Sequence, residues 1–144
     1  MIGILLLSHG RLAEGLLDSC KLFFGEMEKV QALCLEEREA VESFDQRIIH
    51  ALRQLDDGSG VMVCCDLYGG SPANRCALLL KEGYAMRVLT GMNLAMVIEL
   101  MGMRPRFERA DQIPAAELME AGRNSIVLLN EAMENMDEEE NFLF

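Results

Sequence analysis

A chain of 144 residues, half of them apolar and about a quarter charged, has the length of one domain and the apolar content for a core. Its net charge of −11 argues against a nucleic-acid partner, which requires a basic stripe. No run reaches the ~20 apolar residues of a membrane span, and no basic region precedes Ser8-His9-Gly10, so neither a span nor a signal peptide is expected and the expected location is the cytoplasm.

Short apolar runs alternate with amphipathic stretches, the pattern of βαβ units and a parallel sheet. The first strand is expected over Ile2 to Leu7. A helix follows from Leu12 to Phe24, with Leu12, Leu16, Cys20 and Phe23 on one face and Gly25 as its stop. The second strand is Val30 to Leu35. The second helix, Glu39 to Leu55, carries a stripe of Val41, Phe44, Ile48, Leu52 and Leu55 and ends at Asp57-Gly58-Ser59-Gly60. The third strand, Val61 to Cys65, is apolar throughout, as a strand covered on both faces should be. Ser71-Pro72 reads as an N-cap with proline in the first turn of a third helix, which ends near Glu82-Gly83. Ala85 to Leu89 is the fourth strand, and the fourth helix starts after Asn93 and ends by Gly102. A loop at Arg104-Pro105-Arg106 leads to a fifth helix, Pro114 to Ala121, and a last strand, Ser125 to Leu129. The expected division is one α/β domain over 1–130 and an acidic tail over 131–144, where six acids occur without a base.

In such sheets a ligand binds beyond the carboxyl ends of the strands, where the strand order reverses. With strands 2 and 3 on opposite sides of strand 1, the reversal falls between strands 1 and 3. Strand 1 ends at Ser8-His9-Gly10 and strand 3 at Asp66-Leu67-Tyr68-Gly69-Gly70-Ser71. An imidazole and a carboxylate thus emerge side by side. Asp66 accepting from one ring N–H would fix the tautomer and leave the other nitrogen of His9 free as a nucleophile. It would also stabilise positive charge on the modified ring. Gly70 keeps side chains from the mouth, and the helix starting at Ser71 offers unpaired amides and a dipole suited to a phosphoryl anion. Gly10 and the start of the first helix are a second set of candidate donors.

His50, by contrast, lies opposite the apolar stripe of its helix and reads as a surface residue. The two histidines lack metal-ligand spacing, so no metal is expected. There is no Walker-type loop and no G-x-G-x-x-G after a strand, so no nucleotide or other cofactor is expected. The five cysteines, Cys20, Cys34, Cys64, Cys65 and Cys76, show no CxxC pair and read as small core residues. A phosphoryl acceptor without a nucleotide site must draw its phosphate from another molecule.

Three stretches, "SHGRLAEGLLDS" at 8–19, "GVMVCCDLYGGSPAN" at 60–74 and "LTGMNLAMVIEL" at 89–100, resemble the IIA domain of the mannose family of the bacterial phosphoenolpyruvate-dependent sugar phosphotransferase system. The resemblance implies that His9 takes a phosphoryl group on Nε2 from phosphorylated HPr and passes it to a histidine of the IIB component. The membrane components IIC and IID would then be served indirectly. Asp66 corresponds to the family's aspartate on the other ring nitrogen, and Ser71 to its serine at the phosphate end. The implied fold is a parallel sheet of order 2-1-3-4 with helices on both faces. The implied assembly is a homodimer that exchanges an antiparallel last strand, here Ser125 to Leu129. The chain departs from the family at Leu35-Glu36-Glu37-Arg38-Glu39, where Pro-Gly-Glu is usual, and at Asn93-Leu94-Ala95, where proline is usual in third place. Arg11 has no assigned role.

Other readings fit less well. A histidine phosphatase would need an arginine before the histidine, where Ser8 stands, and a second histidine in the site. A flavodoxin-like cofactor binder would need a Ser/Thr-rich loop where Gly10-Arg11-Leu12 stands. A regulatory module, in which phosphorylation of His9 controls a partner rather than sugar transport, is the alternative to transport.

Overall fold

The computed structural model describes residues 1–134 and 136. Four short strands form one parallel sheet in the order β2-β1-β3-β4, as expected. They are β1 (Gly3–His9), β2 (Val30–Leu35), β3 (Val61–Cys65) and β4 (Arg87–Leu89). Alternation along β1 and β3 sends successive side chains to opposite faces, and each face has its own helices. Leu5, Leu7, Val61, Val63 and Cys65 pack under α2 (Val41–Leu55) and α3 (Ser71–Lys81). Ile4, Leu6, Met62 and Cys64 pack under α1 (Leu12–Phe24) and α4 (Leu94–Met103), with α5 (Ala115–Asn124) against α4. Gly3–Ser8 of β1 and all of β3 are buried, which is why Ile4–Leu7 and Val61–Cys65 read as unbroken apolar runs.

Several boundaries differ from expectation. β1 continues two residues past Leu7 because Ser8 and His9 pair with Cys34 and Leu35 on β2. The buried residues of α1 are Ala13 and Cys20, flanked by half-buried Leu16 and Leu17, whereas Leu12 and Phe23 are exposed. The small side chain of Ala13 lets the helix start lie close to the sheet, which rotates the helix away from the expected stripe. In α2 the stripe holds from Phe44 to Leu55, but Val41 in the first turn is exposed.

Asn93 caps α4, its Oδ1 accepting from the amide of Met96 at 3.0 Å. The stretch after α4 is not an open loop. Arg104–Arg106 and Ala110–Gln112 form two turns of 3-10 helix, and Arg104 is buried. Its Nη1 donates to the carbonyls of Glu28 at 2.9 Å and Ile2 at 3.2 Å, tying the end of the α1–β2 connection to the start of β1.

The expected last strand is not formed within the chain. Residues 126–128 make no ladder, and the backbone goes on as a helix, α6 (Leu129–Glu134). Ser125 closes α5 with its hydroxyl donating to the carbonyl of Gly122 at 2.7 Å, which leaves Ile126, Val127 and Leu128 exposed beyond it. Residues 137–144, most of the expected acidic tail, lie outside the described residues. No helix among the described residues is long and apolar enough to cross a membrane.

Candidate functional site

The carboxyl ends of β1 and β3 lie side by side, and the ladder continues one step beyond β3, with the amide of Asp66 donating to the carbonyl of Leu7 at 3.1 Å. That step aims the Asp66 carboxylate at His9. Its Oδ2 accepts from the backbone N–H of His9 at 2.8 Å and from Nδ1 of the His9 ring at 2.9 Å. An ionised carboxylate only accepts, so the proton sits on Nδ1 and the lone pair of Nε2 is left unengaged. The Asp66 side chain is 10 % exposed and the His9 ring 45 %, so the pair has an anchored inner half and an open outer half. The second oxygen, Asp66 Oδ1, is buried with no hydrogen-bond partner among the described residues.

Gly70 closes over the ring. A Cβ at this position would stand 2.6 Å from His9 Cε1 and 3.3 Å from Nε2, so only glycine leaves the imidazole its place. Gly70, not Ser71, is the N-cap of α3, with extended backbone at φ −77° and ψ 166°. Ser71 is the first helical residue and is exposed, and Pro72 follows without an amide to satisfy. The Gly70 amide is used in the turn, donating to the carbonyl of Leu67 at 3.1 Å. The amides of Ser71 and Ala73 have no acceptor among the described residues, so the positive end of α3 opens beside Gly70. Asn74 holds this turn from below, its Nδ2 donating to the carbonyl of Gly69 at 3.0 Å.

The other glycine serves differently from expectation. Gly10 adopts φ +54°, which a side chain would resist, and turns the chain from β1 into α1. Its amide donates to the carbonyl of Leu35 at 2.9 Å and is therefore taken. Arg11 pairs with Glu14 on the surface, Nε to Oε2 at 3.1 Å. His50 is exposed on α2, away from this end of the sheet.

His9, Asp66 and Gly70 thus converge, Ser71 follows Gly70 as the exposed first residue of α3, and Gly10 shapes the turn after His9. Two further residues were not singled out. Asn74 secures the Gly69 turn, and Ser8, fully buried, bridges the start of α1 to the Gly10 turn. A polar residue two positions after Gly-Gly-Ser-Pro, and a serine two residues before a glycine, are the local signals that mark such bridges.

Among the described residues, no group of three or more His, Cys, Asp or Glu stands close enough to hold a metal ion. The cysteines are not competing nucleophiles. All five are buried; burial pushes the Cys64 thiol up to about 12, and a hydrogen bond with Cys76, together with burial, raises Cys65.

The family model for the PTS system fructose IIA component matches residues 3–117. The chain belongs to this family. It is 25 % identical over 111 residues to the PTS system fructose-specific EIIA component of Bacillus subtilis, covering 77 % of this chain and 76 % of that protein. It is 29 % identical over 128 residues to the PTS system mannose-specific EIIAB component of Escherichia coli K12, covering 89 % of this chain but only 39 % of that longer protein. Among solved structures, the PTS IIA protein associated with the fucose utilization operon of Streptococcus pneumoniae matches with a TM-score of 0.80 at 28 % identity, over 91 % of this chain and 95 % of that one. The phosphotransferase system component EIIA from Streptococcus agalactiae matches with a TM-score of 0.82 at 26 % identity, over 91 % and 99 %. The EIIA-family chain is accordingly a component of a sugar phosphotransferase system.

Proposed function

We propose that this chain is a phosphocarrier: Nε2 of His9 accepts a phosphoryl group from phosphorylated HPr and passes it to a histidine of a IIB component, for sugar import and phosphorylation. The observation that carries this reading is the double use of Asp66 Oδ2, which holds both the backbone and the Nδ1–H of His9 and leaves Nε2 as the free nucleophile. The Nε2 lone pair forms the new N–P bond while the N–P bond of the donor breaks and its electron pair returns to the donor ring. No proton need leave His9, and Asp66 offsets the positive charge that the ring acquires. The unpaired amides at the start of α3, with Ser71, are suited to the phosphoryl oxygens.

The rim agrees with transfer between proteins. Tyr68, 87 % exposed, and Leu67 stand on the Asp66–Gly70 turn, and exposed Leu12 begins α1 on the other side. Partners would bury these apolar side chains around His9 and exclude water from the moving group. Cytoplasmic location, a homodimer, and the division into a 1–130 domain and an acidic tail belong to the same proposal.

The test is label transfer from radioactive phosphoenolpyruvate through enzyme I and HPr. Acid-labile, alkali-stable label on the wild type and on His50→Ala, with none on His9→Ala, is the expected result. Absence of label on the wild type would overturn the proposal. Label that reaches His9 but no IIB component would favour a regulatory module.

A further inference from the structure

We infer that Ser8 is a positioning residue for His9, acting from the opposite face of the sheet. Its role in transfer rests on the phosphocarrier reading; its role in placing the ring does not. Alternation along β1 puts His9 on the face of α3 and Ser8 on the face of α1. Ser8 has no exposed surface, and its hydroxyl both donates and accepts. It donates to the carbonyl of Gly10 at 2.9 Å and accepts from the amide of Ala13, in the first turn of α1, at 2.8 Å.

The His9–Gly10 peptide and the units on either side of it are therefore held at three points. Asp66 holds its amide, Leu35 holds the amide of Gly10, and Ser8 holds the carbonyl of Gly10. The first two grips come from the end of β3 and from β2, whereas Ser8 ties the turn to the buried amide of Ala13 in α1. Removing the hydroxyl leaves the Gly10 carbonyl and the buried Ala13 amide without their partners. Each must then seek water or a new partner, and the turn at Gly10 is the part free to move. Because one carboxylate oxygen serves both the His9 backbone and its ring, a shift of that peptide carries the Nδ1 bond with it. Ser8 thereby governs which ring nitrogen is protonated, though it touches neither the ring nor the phosphoryl group.

The experiment compares the wild type, Ser8→Ala and Ser8→Thr by the ¹⁵N shifts of the histidine rings, with His50 as the internal reference, and by the initial rate of label acceptance from phosphorylated HPr. The wild type is expected to hold His9 with Nε2 unprotonated. Ser8→Ala is expected to mix the two tautomers and slow acceptance by about ten- to a hundredfold, and Ser8→Thr, which restores the hydroxyl, to recover both. A loosened fold alone would lower the Tm of Ser8→Ala without moving the His9 tautomer.

A folded Ser8→Ala with the wild-type tautomer overturns the inference, whatever its rate. A changed tautomer with an unchanged rate, where the wild type does take label, overturns the role of Ser8 in transfer and leaves its role in placing the ring. A changed tautomer alongside a wild type that takes no label supports Ser8 as the residue that places the ring, and sinks the phosphocarrier reading instead. Should Ser8→Ala fail to fold, Ser8→Cys under reductant, which keeps the volume with a weaker donor, is judged by the same criteria.

Discussion

Gly70 lies so close above the His9 imidazole that a methyl group on its Cα would stand 2.6 Å from Cε1. The backbone of Gly70, at φ −77°, is one that alanine adopts without strain, so the cost of Gly70→Ala falls mainly on the ring, with a milder squeeze on the Leu67 carbonyl at 3.3 Å. The ring must tilt or leave Asp66. We expect Gly70→Ala to slow phosphoryl acceptance by about a hundredfold while its Tm stays within a few degrees of the wild type. Wild-type acceptance by this variant would show that the ring has room the structure does not give it.

Asp66→Asn keeps the shape of the pair and removes its charge. An amide oxygen can still accept one of the two His9 hydrogen bonds, but the ring acquires positive charge on phosphorylation with no anion beside it. Acceptance should fall by at least about a hundredfold, by analogy with the loss of the orienting carboxylate in a hydrolase triad. The rate of label transfer, with circular dichroism as a check on folding, measures this.

The buried thiols predict an alkaline weakness. Cys64 is pushed up to about 12 in the folded chain, and an exposed thiol titrates near 8.5. The folded state keeps its proton where the unfolded chain loses it. The stability is therefore complete below about pH 8.5 and falls as pH rises toward the folded value, by about 1.4 kcal/mol per pH unit for this thiol. Urea unfolding under reductant at pH 7, 9 and 10 should show the decline, and Cys64→Ala should show a shallower one. Equal slopes would remove Cys64 as the cause.

Arg104 is a structural counterpart with no part in the site. Its guanidinium reaches the carbonyls of Ile2 and Glu28, and burial pushes its pKa down. Arg104→Ala leaves those carbonyls unpaired and a hollow beside them, which should cost about 2–4 kcal/mol of stability. At a temperature where the variant remains folded, its label acceptance should match the wild type. A variant of unchanged Tm would refute the bracing role.

What the sequence revealed, and what it hid, follows from the range of the interactions. β3 was legible because a strand covered on both faces must be apolar at every position from Val61 to Cys65. The meeting of His9 with Asp66 followed from strand order alone, although 57 positions separate them. Ala13 misled the reading of α1, because a small residue gives no periodic signal while allowing the closest approach to the sheet. Arg104 reads only as part of a loop because its partners are carbonyls, which every residue carries and no sequence pattern marks. Ser125 to Leu129 has the β-branched composition of a strand, yet within one chain no ladder receives it. The double role of Gly70, cap of α3 and roof of the ring, needed the geometry.

The single oxygen of Asp66 that holds both the His9 backbone and its ring has a consequence for direction. The ring cannot swing between a donor-facing and an acceptor-facing pose without giving up its Nδ1 bond to a carboxylate that the His9 amide holds in place, so the imidazole presents the same face to every visitor. On the phosphocarrier reading, whether a phosphoryl group moves forward or returns would then be decided by the relative occupancy and phosphorylation of the proteins that call at that face. The site is an unswitched junction, and the traffic through it is set by its neighbours.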